Sequence, residues 1–461
     1  MTEVKIGLEI HRQIDSNKLF CNCPSILRDD KPGVIFKRNL RTVSSEVGEK
    51  DVVAEYEMAK NKYAVYEGYS DSTCLVEYDE EPVHSINQKA LDVALQVALM
   101  LNCKIPEEII VMRKQVIDYS NTSGFQRTVL IGRNGYVETP EGKVGINGVY
   151  LEEDAARKIS EDNEKVTYRL DRLGIPLIEI TTAPDIKSSV QAKEVAAHLG
   201  MVLKSTGKVK GGIGTVRQDV NISVNNGPRV EIKGFQDLKN MPSVIDKEIQ
   251  RHLKDKIKSE VRKAETDGST SYLRPMPGSA RMYPETDHSI IVIDQKRLES
   301  IKLPELISER ILRYRKEYKL NSELAILAAK DDKFEEFVNK FDKLDPSFIA
   351  QTLVMTLKDL KTREGLNIEK LKKKDLEEVF GYVGKVGKDA VPGMLADKIR
   401  GVKINLRKYK ADEKDLVKDV KDIIKKNKGA SLNAVMGIVM KKYRGKVDGK
   451  EVTSIIKKNL K

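Results

Sequence analysis

Six short segments in the first 290 or so residues set acids into apolar, strand-like runs: KIGLEIH (5–11), YLEEDAARK (150–158), DRLGIPLIEI (171–180), VRQDVNISV (216–224), VEIKGFQDLKN (230–240) and ARMYPETD (280–287). Each embeds a carboxylate, and often Arg, Lys or Asn beside it. An unpaired buried carboxylate is costly, so such a set must converge on a cation or on charged partners. Acids meeting Arg and Lys is the chemistry of Mg²⁺ with a polyphosphate. Glu9 and His11 are two apart and share one side of a strand, where they can offer a metal one oxygen and one nitrogen; a polar outer face is the plainer reading. In the run Glu152-Glu153-Asp154 a strand sends Glu152 and Asp154 one way and Glu153 the other. One of these acids should then point at a site while another pairs with Arg157 or Lys158. Glu179 stands alone among apolar neighbours, an expensive place for an idle acid. Arg217, Asp219 and Asn221 alternate along one strand and Glu231 and Lys233 along the next. A hairpin at 225–228 would set these faces side by side, as a salt-bridge ladder or as a phosphate clamp.

The elements that must position these residues are mostly short strands. Period-two alternation marks VRQDVNISV and VGINGVYLEE, with Gly-rich turns between strands. Helices are expected from Ser85 to about Asn102, from Pro184-Asp185 to about Ser205, and over roughly 241–264. This is an α+β pattern with a largely antiparallel sheet. After Asp294 the chain reads as helical throughout. Periodicity breaks again near 401–413, and a small basic module follows, two short helices joined by the turn after Tyr443, with Ser431 as an N-cap. Three domains are expected: 1–294, 295–408 and 409–461.

The formal charge is +12, and residues 371–461 carry 25 Lys and Arg against 12 Asp and Glu, so the excess sits in the tail. A near-neutral body with a basic end points to a gripped polyanion such as nucleic acid; solvated lysine on ordinary helices is the alternative. No apolar run nears 18 residues and MTEVKIGLEIH is not a signal peptide, so a cytoplasmic, non-membrane protein is expected. Four cysteines make no disulfide framework. The Cys21-x-Cys23 pair falls short of a zinc pattern, although Cys74 or His84 could complete it. There is no GxxxxGK[ST] and no GxGxxG, and Gly211-Gly212-Ile213-Gly214 is a weak phosphate loop that a hairpin turn explains as well. The five histidines show no nucleophile elbow beside them.

Taken together, GLEIH, EEDAARK, DRLGIPLIEI, RQDVNIS and the PETD box resemble the B/E subunit family of tRNA-dependent amidotransferases. YEGYSDSTCLVEYDEEP (66–82), SNTSGFQRT (120–128) and LRPMPGSARMYPETD (273–287) are similar to its archaeal E branch, and LNAVMGIVMKKYRGKVDGK to the family's small tail domain. Members of the E branch usually carry an inserted domain resembling part of aspartyl-tRNA synthetase; about 15 residues, roughly 254–268, stand in its place here.

The resemblance implies a cradle domain similar to glutamine synthetase that uses ATP and Mg²⁺ to phosphorylate the glutamate misattached to tRNA(Gln), then amidates it. It implies an asparaginase-like D subunit as ammonia donor, in a 2+2 heterotetramer, and tRNA(Gln) as the partner nucleic acid. By motif position it assigns Mg²⁺ to Glu9, His11, Glu153 and Glu179, with Glu152 as the alternative to Glu153. Arg217, Asp219, Lys233 and Glu285, joined by Asn221 and Arg281, fall to the ATP and acyl-phosphate pocket. Lys441, Lys442, Arg444 and Lys446 would hold the tRNA. A bacterial-type B subunit and a non-catalytic tRNA-binding module are the competing readings.

Overall fold

The computed structural model describes residues 2–39, 52–116, 118–212, 214–235, 237–276, 282–409, 413–427, 429–443, 447 and 449–459. The chain divides into two units, the first ending at Leu306 and the second starting at Ile307. The strands of the first unit are β1 (Val4–Gln13), β2 (Val34–Asn39), β3 (Tyr63–Gly68), β4 (Glu108–Ile109), β5 (Val111–Gln115), β6 (Phe125–Thr139), β7 (Gly142–Glu153) and β8 (Arg157–Glu161). They continue as β9 (Lys165–Arg169), β10 (Pro176–Thr182), β11 (Val216–Val224), β12 (Val230–Lys233), β13 (Glu260–Ala264), β14 (Thr270–Pro275), β15 (Met282–Pro284) and β16 (Ile291–Val292). Its helices are α1 (Val52–Ala59), α2 (Gln88–Met100), α3 (Ser189–Ser205), α4 (Met241–Lys254) and α5 (Gln295–Ser300).

A ten-stranded sheet in the order β14-β13-β12-β11-β1-β10-β7-β6-β5-β15 is the frame, antiparallel except where β12 meets β13. Strand parity decides which face each residue serves. On β1, Ile6, Leu8 and Ile10 point down, as do Ile178 and Ile180 on β10, Val220 and Ile222 on β11, and Val149 and Leu151 on β7. All are buried in one core with Leu91, Ala94 and Leu95 of α2, Val195 and Leu199 of α3, and Val244 and Ile245 of α4. The opposite parity of the same strands carries the polar residues. A four-stranded sheet, β2-β3-β9-β8, has its own small core around Tyr66, Val166, Tyr168 and Leu170.

The mixed α+β architecture matches the sequence pattern, with three differences. The helix expected over 241–264 stops at Lys254, because 260–264 is recruited as β13 alongside β12, a partner remote in sequence. The first unit reaches Leu306 rather than Asp294, because Leu298, Ile301 and Leu306 pack onto its core. The tail holds three helices rather than two: Glu413–Lys426 contributes Leu416 and Val420 to a core with Val435, Val439, Val452 and Ile456. Ser431 caps its helix, its hydroxyl accepting from the Ala434 amide at 3.3 Å. Between them, Ile307–Tyr409 is all helical around Phe334, Phe337, Val379, Phe380 and Leu395.

The β13–β14 hairpin is tied to α4 by charge. Buried Glu248 accepts from Arg251 at 2.7 Å and from the Thr270 hydroxyl at 2.8 Å, and Glu260 accepts from Arg251 at 3.1 Å and Arg262 at 2.8 Å. Burial opposes its ionisation, but donors from His252, Arg251 and Thr270 outweigh that and hold the Glu248 carboxyl below its ordinary 4.5. A depressed carboxyl stabilises the fold above its unfolded pKa, and the gain is lost as pH falls through the folded value. Glu248→Gln should cost about 2 kcal/mol in urea unfolding at pH 7, and the gap to wild type should narrow as pH falls from 4.5 towards about 2; a pH-independent gap would contradict the assignment.

Candidate active site

The polar face of the sheet gathers acids from five adjacent strands, β12-β11-β1-β10-β7. Antiparallel register puts His11 opposite Glu179 on one side and Arg217 on the other, and Glu9 opposite Asp219. Asn221 faces Glu231, and Glu152 lies one pleat from Tyr150, the partner of Glu179. Two groups result, and within each the ligand atoms all lie within 4.8 Å of one another: His11, Glu152 and Glu179, and next to them Glu9, Asp219 and Glu231.

Each group has one lysine set into it. Lys114 Nζ is 3.1 Å from Glu152 and 3.7 Å from Glu179. Lys233 Nζ donates to Asp219 at 2.9 Å and also pairs with Glu231. Thr128 and the Gln126 amide donate to Glu152 at 2.9 and 3.1 Å, and Asn221 donates to Glu9 at 2.8 Å. His11 Nε2 is 3.5 Å from Glu179, while its buried Nδ1 meets no hydrogen-bond partner among the described residues.

The electrostatics are those of acids crowded out of water. Burial, then the Glu179 charge, pushes Glu152 up to about 7. Burial, with Glu231 and Glu179, raises Glu9. Burial also works against Glu179, but the His11 hydrogen bond and Lys114 outweigh it and keep Glu179 ionised. Burial disfavours charge on Lys114 and Lys233, yet the surrounding carboxylates raise both. A carboxylate set with one imidazole suits Mg²⁺ or Mn²⁺ better than a soft metal, and an unpartnered buried imidazole nitrogen beside it fits a cation site.

The structure separates some residues that motif position had grouped. Glu153 is on the helix-facing side of the sheet, away from His11 and Glu179, because it is one residue out of phase with Glu152. There it pairs with Arg127 at 3.4 Å, and Arg127 Nε donates to buried Glu285 at 2.9 Å. Glu285 also pairs with Arg113, so it belongs to this buried network and not beside Lys233. Arg217 donates to Asp154 at 3.0 Å, at the border of the acid face. Arg157 pairs with Asp171 and Asp29, and Lys158 with Glu161, so neither takes a glutamate of the 152–153 run. Arg281, Arg444 and Lys446 lie outside the described residues. Lys441 is exposed, and Lys442 pairs with Asp419. Lys114 escaped the sequence reading because VMRKQ carries no acid; its only signal was a lysine in phase on a strand. Glu231 was read with Lys233 as part of a ladder or clamp, but not as a metal ligand until the sheet brought it within 4.8 Å of Glu9 and Asp219.

A third cluster joins Cys21, Cys23, Cys74 and Glu77 within the same 4.8 Å limit. Cys21 Sγ donates to Glu77 at 3.0 Å, and the Cys74 amide donates to Glu77 at 2.8 Å. Hydrogen bonds from Cys21 and Cys23 draw the Cys74 thiol well below its ordinary value. Fully buried Lys18 stands 3.7 Å from Glu77. His84 is exposed and turned away to half-buried Glu81.

A family profile described as the GatB/GatE catalytic domain matches residues 4–299. The chain is 38% identical to the E subunit of glutamyl-tRNA(Gln) amidotransferase from Methanocaldococcus jannaschii, over 99% of this chain and 98% of that protein. It is 35% identical to the corresponding protein of Methanococcus maripaludis strain S2 and 35% identical to that of Methanosarcina barkeri, over 99% of this chain and 98% and 97% of theirs. The first alignment spans 621 positions against the 461 residues of this chain, so that relative carries residues with no counterpart here.

The Arg127 network and the Glu152 group should respond oppositely when one charge is removed from each. Arg127→Met leaves Glu153 and Glu285 short of a partner and should cost about 3 kcal/mol. Glu152 has a raised folded pKa, so its favourable contribution is present at low pH and lost as pH rises from 4.5 towards 7. Glu152→Gln in chelator should therefore gain stability relative to wild type across that interval, read from paired urea midpoints. A loss matching that of Arg127→Met would show that Glu152 is structural.

Proposed function

The chain belongs to the GatB/GatE family, and from that premise we propose that it is the E-type component of a tRNA-dependent amidotransferase, a ligase that turns Glu-tRNA(Gln) into Gln-tRNA(Gln). The observation that carries this is the pair of acid groups sharing one sheet face, each with a lysine inside it. A carboxylate is a poor electrophile for ammonia. In this reading one side-chain carboxylate oxygen of the tRNA-borne glutamate attacks the γ-phosphorus of ATP and ADP departs. Ammonia then attacks the acyl carbon and phosphate leaves with the carbon–oxygen electron pair. The attacking carboxylate is already ionised at neutral pH, so positioning and charge neutralisation matter more than a general base.

His11, Glu152 and Glu179 would hold one Mg²⁺, and Glu9, Asp219 and Glu231 a second, where bound cations neutralise charge on the transferred phosphoryl group. Lys233 and Lys114, released from acids that turn to a cation, are placed to take phosphoryl oxygens. Asn221 orients Glu9, and Arg217 with Asp154 closes the border of the site. Glu153, Glu285 and Arg127 set the far side of β6 and β7 and so fix where Glu152 stands, and Arg281, in the same PETD box, is kept with the nucleotide pocket.

The relatives' names support a complex acting on tRNA. We take the ammonia donor to be an asparaginase-like D subunit in a 2+2 assembly, and the cradle over 1–294 to be glutamine synthetase-like. Residues 295–408 would connect it to a tRNA-holding tail over 409–461 with Lys441, Lys442, Arg444 and Lys446. Among the described residues no helix is long and apolar enough to cross a membrane, in keeping with a cytoplasmic translation enzyme. The three relatives named above are of the E type, which favours this over a bacterial-type B subunit. The intact acid face disfavours a purely tRNA-binding module.

With the asparaginase-like partner, ATP hydrolysis should require Glu-tRNA(Gln). Glu179→Gln should reduce it at least about 100-fold, the scale of one essential electrostatic group, with tRNA affinity kept. Truncation near residue 410 should weaken tRNA binding and flatten its salt dependence while sparing the cradle. Equal loss of both properties in both variants would break the division between site and tail. For the cysteine cluster we propose a structural Zn²⁺ held by Cys21, Cys23, Cys74 and Glu77, which predicts about one equivalent of zinc per chain; Cys74→Ala should abolish it, and zinc-free wild type of full stability would remove the site.

A further inference from the structure

Asp154 is 1% exposed, just past the end of β7 at the rim of the acid face. Its two oxygens hold three donors. Oδ2 accepts from the Gln13 side-chain amide at 2.7 Å, and Oδ1 accepts from Arg217 Nη1 at 3.0 Å and from the Ala155 backbone amide at 2.9 Å. Gln13 ends β1 and Arg217 lies near the start of β11, yet in the sheet β10 stands between β7 and β1, and both β10 and β1 stand between β7 and β11. The carboxylate crosses where β10 is about to begin: the Asp154 amide donates to the Ile175 carbonyl at 2.8 Å, and its carbonyl accepts from the Gly174 amide at 3.0 Å. One buried side chain thus braces strands that share no ladder. Neutral amides would make such a brace at less cost; a buried carboxylate is warranted where it has a cation to hold.

That cation is Arg217. Register sets it opposite His11 on the acid face, its side chain is 40% exposed, and Asp154 is its only hydrogen-bond or ion-pair partner among the described residues. Held through Nη1, the guanidinium keeps the donors on Nε and Nη2 uncommitted. The other arginine near Asp154, Arg172, stands 3.9 Å away and spends Nε and Nη2 on the carbonyls of Ala155 and Ala156 at 2.8 and 2.9 Å. A guanidinium carries donors only, in a planar fork that fits a carboxylate and offers nothing to an amide N–H.

We propose that Arg217 tells the tRNA-borne glutamate from the glutamine it becomes, by donating to the side-chain carboxylate through Nε and Nη2, and that Asp154 is the positioning residue that keeps it turned to do so. The assignment rests on the amidation reading above and adds how substrate is preferred over product. Before the reaction the substrate offers an oxygen to each donor. Once ammonia has replaced phosphate, one of those oxygens has become an amide nitrogen whose hydrogens face a donor, and the product is held less tightly.

The test is steady-state synthesis of Gln-tRNA(Gln) by the full chain with its ammonia-donating partner and ATP, reading the KM for Glu-tRNA(Gln) and the inhibition constant of added Gln-tRNA(Gln). The tRNA body contributes to both, so their ratio isolates the side chain. Arg217→Met should raise KM about 10-fold, the worth of one charge-assisted hydrogen bond, and leave the inhibition constant at its wild-type value. Asp154→Asn, which keeps the shape of the side chain, should shift the ratio by a similar factor. The double variant should shift it no further than the larger single change, because both act on one contact. Gln13→Met, which leaves Asp154 and Arg217 in place and loosens only the brace, should shift it the same way by less. A wild-type ratio in Arg217→Met overturns the discrimination. A wild-type ratio in folded Asp154→Asn, or in Gln13→Met where Asp154→Asn does not fold, overturns the positioning role, as do losses that multiply in the double variant. No Gln-tRNA(Gln) from wild type would instead bring down the amidation reading, and this assignment with it.

Discussion

Everything at the centre of this protein depends on keeping a row of carboxylates ionised on a half-buried sheet face. Two like charges 4 Å apart cost about 4 kcal/mol at an effective dielectric of 20. Glu152 and Glu179 stand within such reach of each other, and so do Glu9, Asp219 and Glu231 beside them. The chain offsets this with two lysines, one imidazole and donors from Thr128, Gln126 and Asn221. The balance is incomplete, as the raised Glu152 and Glu9 carboxyls show. Such unresolved repulsion is what a site for divalent cations requires: affinity comes from charge the fold leaves uncompensated. Stability is supplied from the other side of the same strands, where Ile, Leu and Val pack against three helices.

How much of this the sequence disclosed follows from strand parity. The alternation in KIGLEIH, PLIEI and VRQDVNIS told which side chains travel together, and those residues do share a face. Parity also separated Glu152 from Glu153, whereas motif position preferred Glu153 beside Glu179; the sheet sides with parity, and the one-residue phase sends Glu153 to Arg127 instead. Register was not legible. That His11 lands opposite Glu179, and Glu9 opposite Asp219, depends on pairings between strands far apart in the chain. Lys114 was hidden because its strand carries no acid. The Cys21-x-Cys23 pair could be matched to Cys74 or His84 in sequence, but the choice of Cys74 and the approach of Glu77 came only from the fold.

The segment over roughly 254–268 shows another limit of local reading. Its lysines and glutamates look like a solvated helix continuing α4. In the fold, 260–264 and 270–275 are strands, and their charges close on Glu248 and Glu260. The hairpin extends the sheet past β12. The basic tail was legible as charge, but its three-helix packing was not, because the first helix falls just beyond a break in periodicity.

The most direct test follows the oxygen atoms. Glu-tRNA(Gln) bearing ¹⁸O in both side-chain carboxylate oxygens would be converted with ATP and an ammonia source, and the released phosphate analysed by mass spectrometry. Activation by phosphoryl transfer on the acid face predicts one ¹⁸O in each phosphate, with matching loss from the glutaminyl product. Unlabelled phosphate would contradict it, because the carboxylate would then never have been joined to phosphorus.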